Sequence, residues 1–427
     1  MQNMNPIRGT YDYLPNVARV RELVRQKILA SYQANGYNLI ETPILEHLEL
    51  LNSSEGGDNL RLMFKTIKRD KELERALDKE RELALAGEPM TEDELVAEGL
   101  RYDLTVPLVR FYSNNRDKLP TPFKALQIGY AFRAERPQKG RNRQFVQCDI
   151  DVFGDPSINA EIELLKTCLD TLNDLGFDRL TLKINHKQLL NSLILNAGFT
   201  RDDLSSVCVT LDKIDKISLN GVMMELIEKG FEMEKINRLA DIISEVQSAG
   251  LKSCLKYGVD EQVVADLDRL ISALRSLTNS ANNIIFDVSI VRGQGYYTGA
   301  VYEIYQEGFA GAVTGGGRYD NMVEKFTGTP CPVVGVSIGF EPICMLLSNG
   351  GSLSAHERLA LIYEQTDDIV EVLRVKDELK KKYDVSIYAR PKNVKNLYEK
   401  LASVVDLVTS MRDYAEGKDF KRLTTTD

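Results

Sequence analysis

Hydrophobic and polar positions alternate along two segments that are separated by the polar loop ERPQKGRNR. The apolar positions are Leu126, Ile128, Tyr130 and Phe132 in the first segment and Val146, Cys148, Ile150 and Val152 in the second. A period of two is typical of strands, so the pattern predicts a β-hairpin over residues 123–153. The opposite face carries Gln127, Arg133, Gln147, Asp149 and Asp151. This face either points to water, as one face of a soluble sheet commonly does, or forms the floor of a ligand site.

Apolar residues recur at helical spacing in three other parts of the chain. Residues 17–33 place Val20, Val24 and Ile28 four residues apart, which predicts an amphipathic helix. Residues 157–176 follow a helical pattern that ends at a glycine, and most of residues 187–280 are predicted to be helical. The most regular apolar stripe in that region consists of Val264, Leu267, Leu270, Ile271, Leu274 and Leu277.

The remaining segments predict a mixed organisation. Residues 65–100 are dense in charges of both signs, which predicts a solvated insertion of exposed helices interrupted near Gly87. The segment YNLIETPILE is predicted to be a strand that Pro43 stops. Strand and glycine-turn patterns dominate residues 284–347. Residues 357–427 alternate strand and helix patterns, and this βαβ order predicts a small, mostly parallel sheet.

Composition narrows the classes of function. The 427 residues have a net charge of -9, which argues against a nonspecific nucleic-acid coat protein or a basic membrane binder, although a local basic patch suffices for a nucleic-acid partner. The sequence begins without an apolar run of signal-peptide type, and its longest apolar stretches are far shorter than the ~20 residues that span a bilayer. We expect a cytoplasmic protein with no membrane partner.

Cysteine and histidine usage bears on the chemistry. No two of the six cysteines form a C-x-x-C pair, and the chain has three histidines. Free thiols in a reducing compartment are the simplest interpretation. We therefore assign no metal site and no histidine-based catalytic triad.

Charged and aromatic residues concentrate around the hairpin. Its loop region contains Arg133, Arg136, Lys139, Arg141 and Arg143, in a chain that is acidic as a whole. Guanidinium groups match phosphate oxygens, and neither a P-loop nor a G-x-G-x-x-G motif offers another phosphate site. The candidate partners are the carboxylates Asp103, Asp149 and Asp151, for an ammonium group or a metal, and the aromatic walls Tyr296, Tyr297 and Tyr319. Together these groups suit amino-acid adenylation; surface salt bridges around glycine turns are the alternative.

Five segments carry a family resemblance. They are IRGTYDYLP, GYNLIETPILE, LRYDLTVPLVR, FRAERPQKGRNRQFVQCDIDVFG and RG-x-x-YYTG, in this order. Together they resemble the histidyl-tRNA synthetase family of class II aminoacyl-tRNA synthetases, over about residues 6–347. The second segment resembles motif 1 of the class and the fourth resembles motif 2. The resemblance implies an α+β fold, in which helices flank an antiparallel catalytic sheet.

With that resemblance the chain divides into four parts. Residues 1–186 and 281–348 are expected to form the catalytic core, and residues 187–280 a mostly helical insertion. Residues 357–427 are expected to form a short α/β C-terminal domain like an anticodon-binding domain. A homodimer through the motif 1 region is also implied.

The implied reaction is histidine–tRNA ligation. Histidine attacks the α-phosphate of ATP, which is bound with Mg²⁺, and the resulting histidyl-adenylate passes its histidyl group to the terminal ribose of tRNA-His. Catalysis then rests on positioning and on charge stabilisation at the phosphorus. No covalent enzyme intermediate is needed.

The resemblance also implies roles for individual residues. The catalytic arginines that face the α-phosphate are Arg133 and Arg292. The ATP-binding residues are Arg133, Glu135, Arg141 and Phe145. The histidine-binding residues are Asp103, Thr105, Gln147, Asp151, Tyr297 and Tyr319. Gln138 lies where the motif 2 loop meets the tRNA acceptor end.

Three departures from the family pattern keep other functions open. Pro342 stands where motif 3 ends in an ATP-binding arginine, Gly295 stands where many relatives have aspartate, and the C-terminal part is short. Pro342 favours a non-catalytic paralogue such as the regulatory subunit of ATP phosphoribosyltransferase. The presence of residues 357–427 and the largely intact motif 2 favour the ligase. Adenylation for a carrier protein or another non-tRNA acceptor is a third hypothesis.

Overall fold

The structure is a computed structural model that describes residues 4–53, 62–89, 92–137, 142–291, 295–348 and 357–423. The chain forms two compact units. Unit 1 comprises Met1–Thr10 and Gln26–Met345, and unit 2 comprises Tyr11–Arg25 and Leu346–Asp427. Whether unit 1 divides further into a core and an inserted module remains a prediction.

The strands described in unit 1 belong to two sheets. They are β1 (Asn38–Leu39), β2 (Leu45–His47), β3 (Lys65–Ile67), β4 (Val96–Leu100), β5 (Phe123–Phe132), β6 (Gln144–Phe153), β7 (Leu180–His186), β8 (Asn283–Phe286), β9 (Ala300–Gln306), β10 (Ala312–Arg318) and β11 (Val333–Gly339). Eight of them form one sheet in the order β1-β5-β6-β11-β10-β9-β7-β8. The pairs β1–β5 and β7–β8 are parallel, and the other neighbours are antiparallel. The expected α+β class with a mainly antiparallel sheet is confirmed.

The register of this sheet places polar residues of neighbouring strands side by side. Asp149 on β6 is opposite Gln127 on β5 and Ser337 on β11. Asp151 is opposite Ala125 and Gly335 in the next row along the strands. The predicted hairpin is therefore confirmed as β5 and β6. Its apolar face is buried along β6, with Cys148 and Ile150 at 0% exposure, whereas Tyr130 on the same face of β5 is 43% exposed.

The described α-helices of the first 348 residues lie before, between and after these strands along the chain. They are α1 (Pro15–Ala34), α2 (Leu48–Ser53), α3 (Asp70–Ala86), α4 (Glu92–Leu95), α5 (Thr105–Asn115), α6 (Asn159–Asp174), α7 (Lys187–Asn196), α8 (Leu204–Leu211), α9 (Ile214–Glu228), α10 (Met233–Ala249), α11 (Glu261–Leu277), α12 (Asn321–Thr327) and α13 (Phe340–Ser348). Helix α6 packs on β6 and β11, and α11 packs on α6, β7 and β8. The helices predicted over residues 17–33, 157–176 and 187–280 are confirmed.

Three local predictions need correction. YNLIETPILE does not form one strand, because β1 joins the large sheet while β2 joins a separate sheet of order β2-β4-β3. The charged segment 65–100 is not helical throughout: it begins with β3 and ends with β4, which pair with each other. The apolar stripe of α11 ends before Leu277, which is 50% exposed because it is the last residue of the helix.

Unit 2 contains a four-stranded sheet. Its strands are β12 (Arg358–Tyr363), β13 (Asp384–Ala389), β14 (Leu407–Ser410) and β15 (Lys421–Arg422), and its further helices are α14 (Ile369–Leu379), α15 (Val394–Leu401) and α16 (Met411–Ala415). The order is β13-β12-β14-β15, with β12 parallel to both neighbours and β15 antiparallel to β14. The predicted βαβ arrangement is confirmed. Among the residues that the structure describes, no helix is long and apolar enough to span a membrane.

Candidate active site

A cavity of about 560 Å³ lies in unit 1, on the face of the large sheet that carries Gln147, Asp149 and Asp151. Nine residues with roles expected from the resemblance line it: Asp103, Thr105, Arg133, Glu135, Phe145, Gln147, Asp151, Tyr297 and Tyr319. They come from segments as distant as residues 103 and 319 in the chain, so the fold brings them together. Their individual roles remain predictions. The other three expected residues, Gln138, Arg141 and Arg292, lie outside the described residues.

Arg133 is a cation of the hairpin that lines the cavity. Its Nε donates a hydrogen bond of 3.0 Å to the carbonyl oxygen of Tyr102, and its guanidinium carbon lies 5.0 Å from the centroid of the Phe145 ring. The backbone N–H of Arg133 also donates to the carbonyl oxygen of Arg143, 2.8 Å away, which closes the end of the hairpin. A backbone contact and an aromatic face therefore hold the guanidinium while further N–H donors remain for a ligand.

Three carboxylates are buried on the cavity floor. Asp103, Asp149 and Asp151 are 2%, 5% and 6% exposed. Burial raises the pKa of each of them, and it raises the pKa of Asp151 to about 7. Coulombic repulsion adds to this effect, because the charge of Asp103 also raises the pKa of Asp149 and of Asp151. The charge of Arg133 opposes the rise at Asp103. This part of the cavity is suited to a cationic group.

Several acceptor atoms on the floor have unused capacity. Oδ2 of Asp103, Oε1 of Gln147 and Oδ1 of Asp149 are buried and have no hydrogen-bond partner among the described residues. A buried acceptor without a donor costs about 1–3 kcal/mol. Because all three atoms accept hydrogen bonds, the group that would satisfy them is one rich in N–H or O–H donors.

Tyrosines form the wall beside these acceptors. The hydroxyl of Tyr319 donates a hydrogen bond of 2.5 Å to Oδ1 of Asp151. The ring of Tyr296 lies 4.8 Å from that of Tyr297 and 5.7 Å from that of Tyr319, measured between centroids. All three rings are buried. The wall thus offers flat apolar surfaces next to a buried carboxylate.

Glycines bring these side chains close to the sheet. A Cβ on Gly317 would lie 2.7 Å from the ring of Tyr297, and a Cβ on Gly335 would lie 1.8 Å from Oδ1 of Asp151. Both distances are far shorter than ordinary contacts. The sequence TGGGRYD belongs to residues 284–347, where strand and glycine-turn patterns are predicted, and most of it forms strand β10 under the tyrosines.

Sequence reasoning missed several residues that line the cavity. They are Ser337, Glu303, Glu341 and Lys216. Ser337 had a weak signal as the one polar residue of the strand VVGVSIG, whereas Lys216 comes from the helical region and had none. Glu341 accepts a hydrogen bond from the backbone N–H of Val146, 3.2 Å away. Pro342 lines the same cavity.

The sequence is similar to proteins of a known family. The family model described as histidyl-tRNA synthetase matches residues 9–77 and 91–343. A histidine–tRNA ligase of Leifsonia xyli subsp. xyli is 37% identical over 417 residues, which cover 94% of this chain and 93% of the relative. A probable histidine–tRNA ligase of Tropheryma whipplei is 38% identical over 393 residues, with 87% of each chain covered.

Two solved structures share the fold. The histidyl-tRNA synthetase of a Nostoc species has a TM-score of 0.74 at 21% identity and covers 99% of this chain and 97% of its own. A Bacillus halodurans protein described as an ATP phosphoribosyltransferase regulatory subunit/histidyl-tRNA synthetase has a TM-score of 0.73 at 18% identity, with 96% and 98% covered. The two matched ranges of the family model include all the described residues that line the cavity. The chain therefore belongs to the histidyl-tRNA synthetase family.

Proposed function

We propose that this chain is a histidine–tRNA ligase, which activates L-histidine with ATP and transfers it to tRNA-His. The observation that carries the proposal is the single cavity that combines an anchored guanidinium, Arg133, with buried acceptors and a tyrosine wall. The relatives of L. xyli and T. whipplei bear the same activity in their names and match most of this chain.

The hairpin side of the cavity is assigned to ATP. Arg133 holds the α-phosphate, and Phe145, whose ring already faces that guanidinium, packs on the adenine. Glu135 and Arg141 complete the nucleotide site, and Arg292 approaches the α-phosphate from the other side. Mg²⁺ arrives with ATP as part of the substrate. Glu341 supplies a carboxylate near Phe145, and Mg²⁺ is commonly bound by one or two carboxylates together with phosphate oxygens.

The floor and the tyrosine wall are assigned to histidine. Asp103, Thr105 and Gln147 hold the ammonium group, and Asp151 with Tyr297 and Tyr319 surrounds the imidazole. A carboxylate oxygen of histidine then attacks the α-phosphorus, and the bond between that phosphorus and the bridging oxygen breaks. Pyrophosphate leaves with the bonding electron pair. Arg133 stabilises the negative charge that develops on the α-phosphate oxygens.

The second step needs the tRNA. A hydroxyl of its terminal ribose attacks the carbonyl carbon of the adenylate, the bond to the phosphate oxygen breaks, and AMP leaves while the hydroxyl proton is released. Gln138 in the motif 2 loop contacts the acceptor end. We further propose that residues 357–427 form the anticodon-binding-like domain and that residues 187–280 are a helical insertion into the catalytic core.

We also propose a homodimer through the motif 1 region. Leu39, Ile44 and Leu45 of this region are 43%, 41% and 47% exposed. Apolar side chains that are exposed together in one segment are typical of an interaction surface. A partner copy would cover them.

Histidine-dependent exchange of pyrophosphate into ATP, followed by charging of tRNA-His, tests the function. The wild-type chain should show both, and Arg133→Ala should lose exchange. Arg179→Ala is the control, because Arg179 is exposed and pairs with Glu307 away from the cavity. Normal exchange by Arg133→Ala would refute the assignment of the hairpin to ATP.

Pro342 favours one other candidate, the non-catalytic regulatory paralogue, because proline offers no side-chain donor where the family has an arginine. If this candidate is right, the chain should bind a phosphoribosyltransferase and should show no histidine-dependent exchange of pyrophosphate into ATP. Exchange without charging would instead support adenylation for a non-tRNA acceptor. The same assays therefore separate all three functions.

A further inference from the structure

Asp149 is a buried cavity residue to which the proposed function assigns no role. It lies near the middle of β6, is 5% exposed and lines the cavity between Gln127 and Ser337 of the neighbouring strands. Its Oδ1 has no hydrogen-bond partner among the described residues. A buried carboxylate is costly unless its charge is compensated. The charge of Arg101 compensates it only in part, because the pKa of Asp149 stays well above its usual value. The unpartnered Oδ1 therefore points to a task in ligand binding.

The second carboxylate oxygen of Asp149 faces the amide of Gln147. Nε2 of Gln147 lies 3.4 Å from Oδ2 of Asp149 and 3.5 Å from Oγ of Ser337. A carboxylate can only accept hydrogen bonds, whereas an amide has one donor end and one acceptor end. The NH₂ end of Gln147 must therefore face Asp149. As a result Oε1 of Gln147 is directed away from the carboxylate, and it is buried without a partner among the described residues.

We propose that Asp149 is a positioning residue for the amino-acid substrate, which orients the amide of Gln147 so that its oxygen faces the α-ammonium group. This inference rests on the proposed function, because it takes histidine as the ligand. An ammonium group has three N–H donors. On the cavity floor, Asp103 and Gln147 each have an unused acceptor that matches these donors.

The charge of Asp149 is what makes the orientation of Gln147 unique. If the amide of Gln147 were reversed, its oxygen would face a carboxylate and its NH₂ group would face the incoming cation. Both contacts are repulsive, so the reversed state is excluded while Asp149 is ionised. Burial raises the pKa of Asp149, but the positive charge of a bound ammonium group favours the ionised form. An asparagine at position 149 has nearly the same shape but can accept or donate, so it would allow both orientations.

The test is the dissociation constant of L-histidine, measured by calorimetry in the absence of ATP. Asp149→Asn should weaken histidine binding by about tenfold or more, as expected for an impaired hydrogen bond to a charged group. Binding of 3-(imidazol-4-yl)propionate, which lacks the ammonium group, should change far less. Cys148→Ala is the control for packing damage, because Cys148 directly precedes Asp149 in β6 and its side chain lies on the opposite, buried face. Equal losses for both ligands would overturn the proposal.

A double variant tests the route through Gln147. If Asp149 acts by orienting that amide, Asp149→Asn combined with Gln147→Ala should lose less affinity than the product of the two single losses. If the double variant lost as much affinity as the product of the two single losses, the residues would act independently, and this would overturn the positioning role. Unchanged histidine affinity in Asp149→Asn would overturn it as well.

Two further measurements keep the result interpretable. Ser337→Ala keeps the carboxylate at position 149 but removes a hydroxyl that neighbours Nε2 of Gln147 and hydrogen-bonds Asp149. It should therefore weaken histidine binding slightly even if Asp149→Asn fails to fold, and no effect in a folded Ser337→Ala would count against the proposal. Pyrophosphate exchange by the wild-type chain is measured in parallel. Histidine binding without exchange refutes the proposed function alone, whereas no histidine binding by the wild-type chain refutes both.

Discussion

The hydroxyl of Tyr319 donates a hydrogen bond of 2.5 Å to Oδ1 of Asp151, across the strand that separates them. Tyr319 directly follows β10, Asp151 lies on β6, and β11 runs between these two strands. The bond crosses β11 at Gly335, where a side chain would occupy the same space. A buried tyrosine, a buried carboxylate and a glycine therefore form one structural unit at the proposed imidazole site.

Gly335→Ala tests this unit. The added Cβ would lie 1.8 Å from Oδ1 of Asp151, so the carboxylate must move away from Tyr319. We expect the Michaelis constant for histidine in pyrophosphate exchange to rise by about tenfold or more, because a charge-assisted hydrogen bond is lost. The Michaelis constant for ATP should stay near the wild-type value. An equal rise for both substrates would indicate general damage to the sheet.

The raised pKa of Asp151 predicts a pH dependence of folding. Burial raises the pKa of this carboxyl from 3.8 to about 7, so the folded chain keeps the proton in a pH range where the unfolded chain has released it. Because the folded state binds more protons, the free energy of unfolding must decrease as pH rises from about 4 to about 7. Below this range Asp151 is protonated in both states and its contribution no longer changes.

Urea unfolding of the ligand-free protein at pH 5 and pH 7.5 measures this effect. Asp151→Asn keeps the shape of the side chain and cannot ionise, so its free energy of unfolding should decrease less over this interval than that of the wild type. The difference should not exceed about 4 kcal/mol, since one pKa unit corresponds to about 1.36 kcal/mol. Identical pH profiles for the two proteins would show that Asp151 titrates normally.

Periodicity alone predicted the parts of the fold where one face is apolar. The alternation from Val146 to Val152 and the spacing of Val20, Val24 and Ile28 give the observed strand and helix, because burial of one face requires that pattern. The prediction of a single strand for YNLIETPILE was wrong for a physical reason. Both of its halves have strand propensity, but the chain turns around Pro43 and each half pairs with a different sheet, which a local pattern does not record.

The site was predictable only as far as residues carried a recognisable motif. Arg133, Gln147 and Asp151 lie in motif 2 and line the cavity as a group. The sequence also showed that Asp149 lies on the polar face of the hairpin, but not that it is buried or that it faces an amide. Its burial depends on the pairing of β6 with β11, over a separation of almost 190 residues, and its contact with the amide of Gln147 depends on side-chain orientation within β6. Lys216 reaches the cavity from a helix whose sequence contains no site motif.

The proposed dimer can be tested with one exposed residue of the motif 1 region. Leu45 on β2 is 47% exposed, and Leu45→Glu should prevent a partner copy from covering this surface. We expect sedimentation velocity to show a dimer for the wild type and a monomer for the variant. Leu277→Glu is a matched control, because Leu277 is also an exposed leucine, at 50%, and lies at the end of α11. Dissociation by both variants, or by neither, would contradict an interface at Leu45.

Pro342 gives the sharpest test of how this chain differs from its family. It is the third residue of α13, in the first helical turn, where proline and arginine are both tolerated by the backbone. Its side chain lines the cavity but offers no donor to a phosphate. Arginine at this position would add a charge-assisted hydrogen bond, which contributes about 1.5–3 kcal/mol. Pro342→Arg should therefore lower the Michaelis constant for ATP in pyrophosphate exchange by about tenfold or more, at unchanged Michaelis constant for histidine.

Pro342→Ala separates the effect of the guanidinium from the effect of removing proline. Alanine frees the backbone in the same way but adds no donor, so its Michaelis constant for ATP should remain that of the wild type. An equal gain in both variants would show that the proline itself, through the geometry of α13, weakens ATP binding. No gain from arginine would mean that another cation already occupies this role. Among the described residues lining the cavity, Lys216 and Arg133 are the cations that could do so. If Lys216 is the substitute, Lys216→Ala should reduce ATP affinity more in the wild-type background than in the Pro342→Arg background.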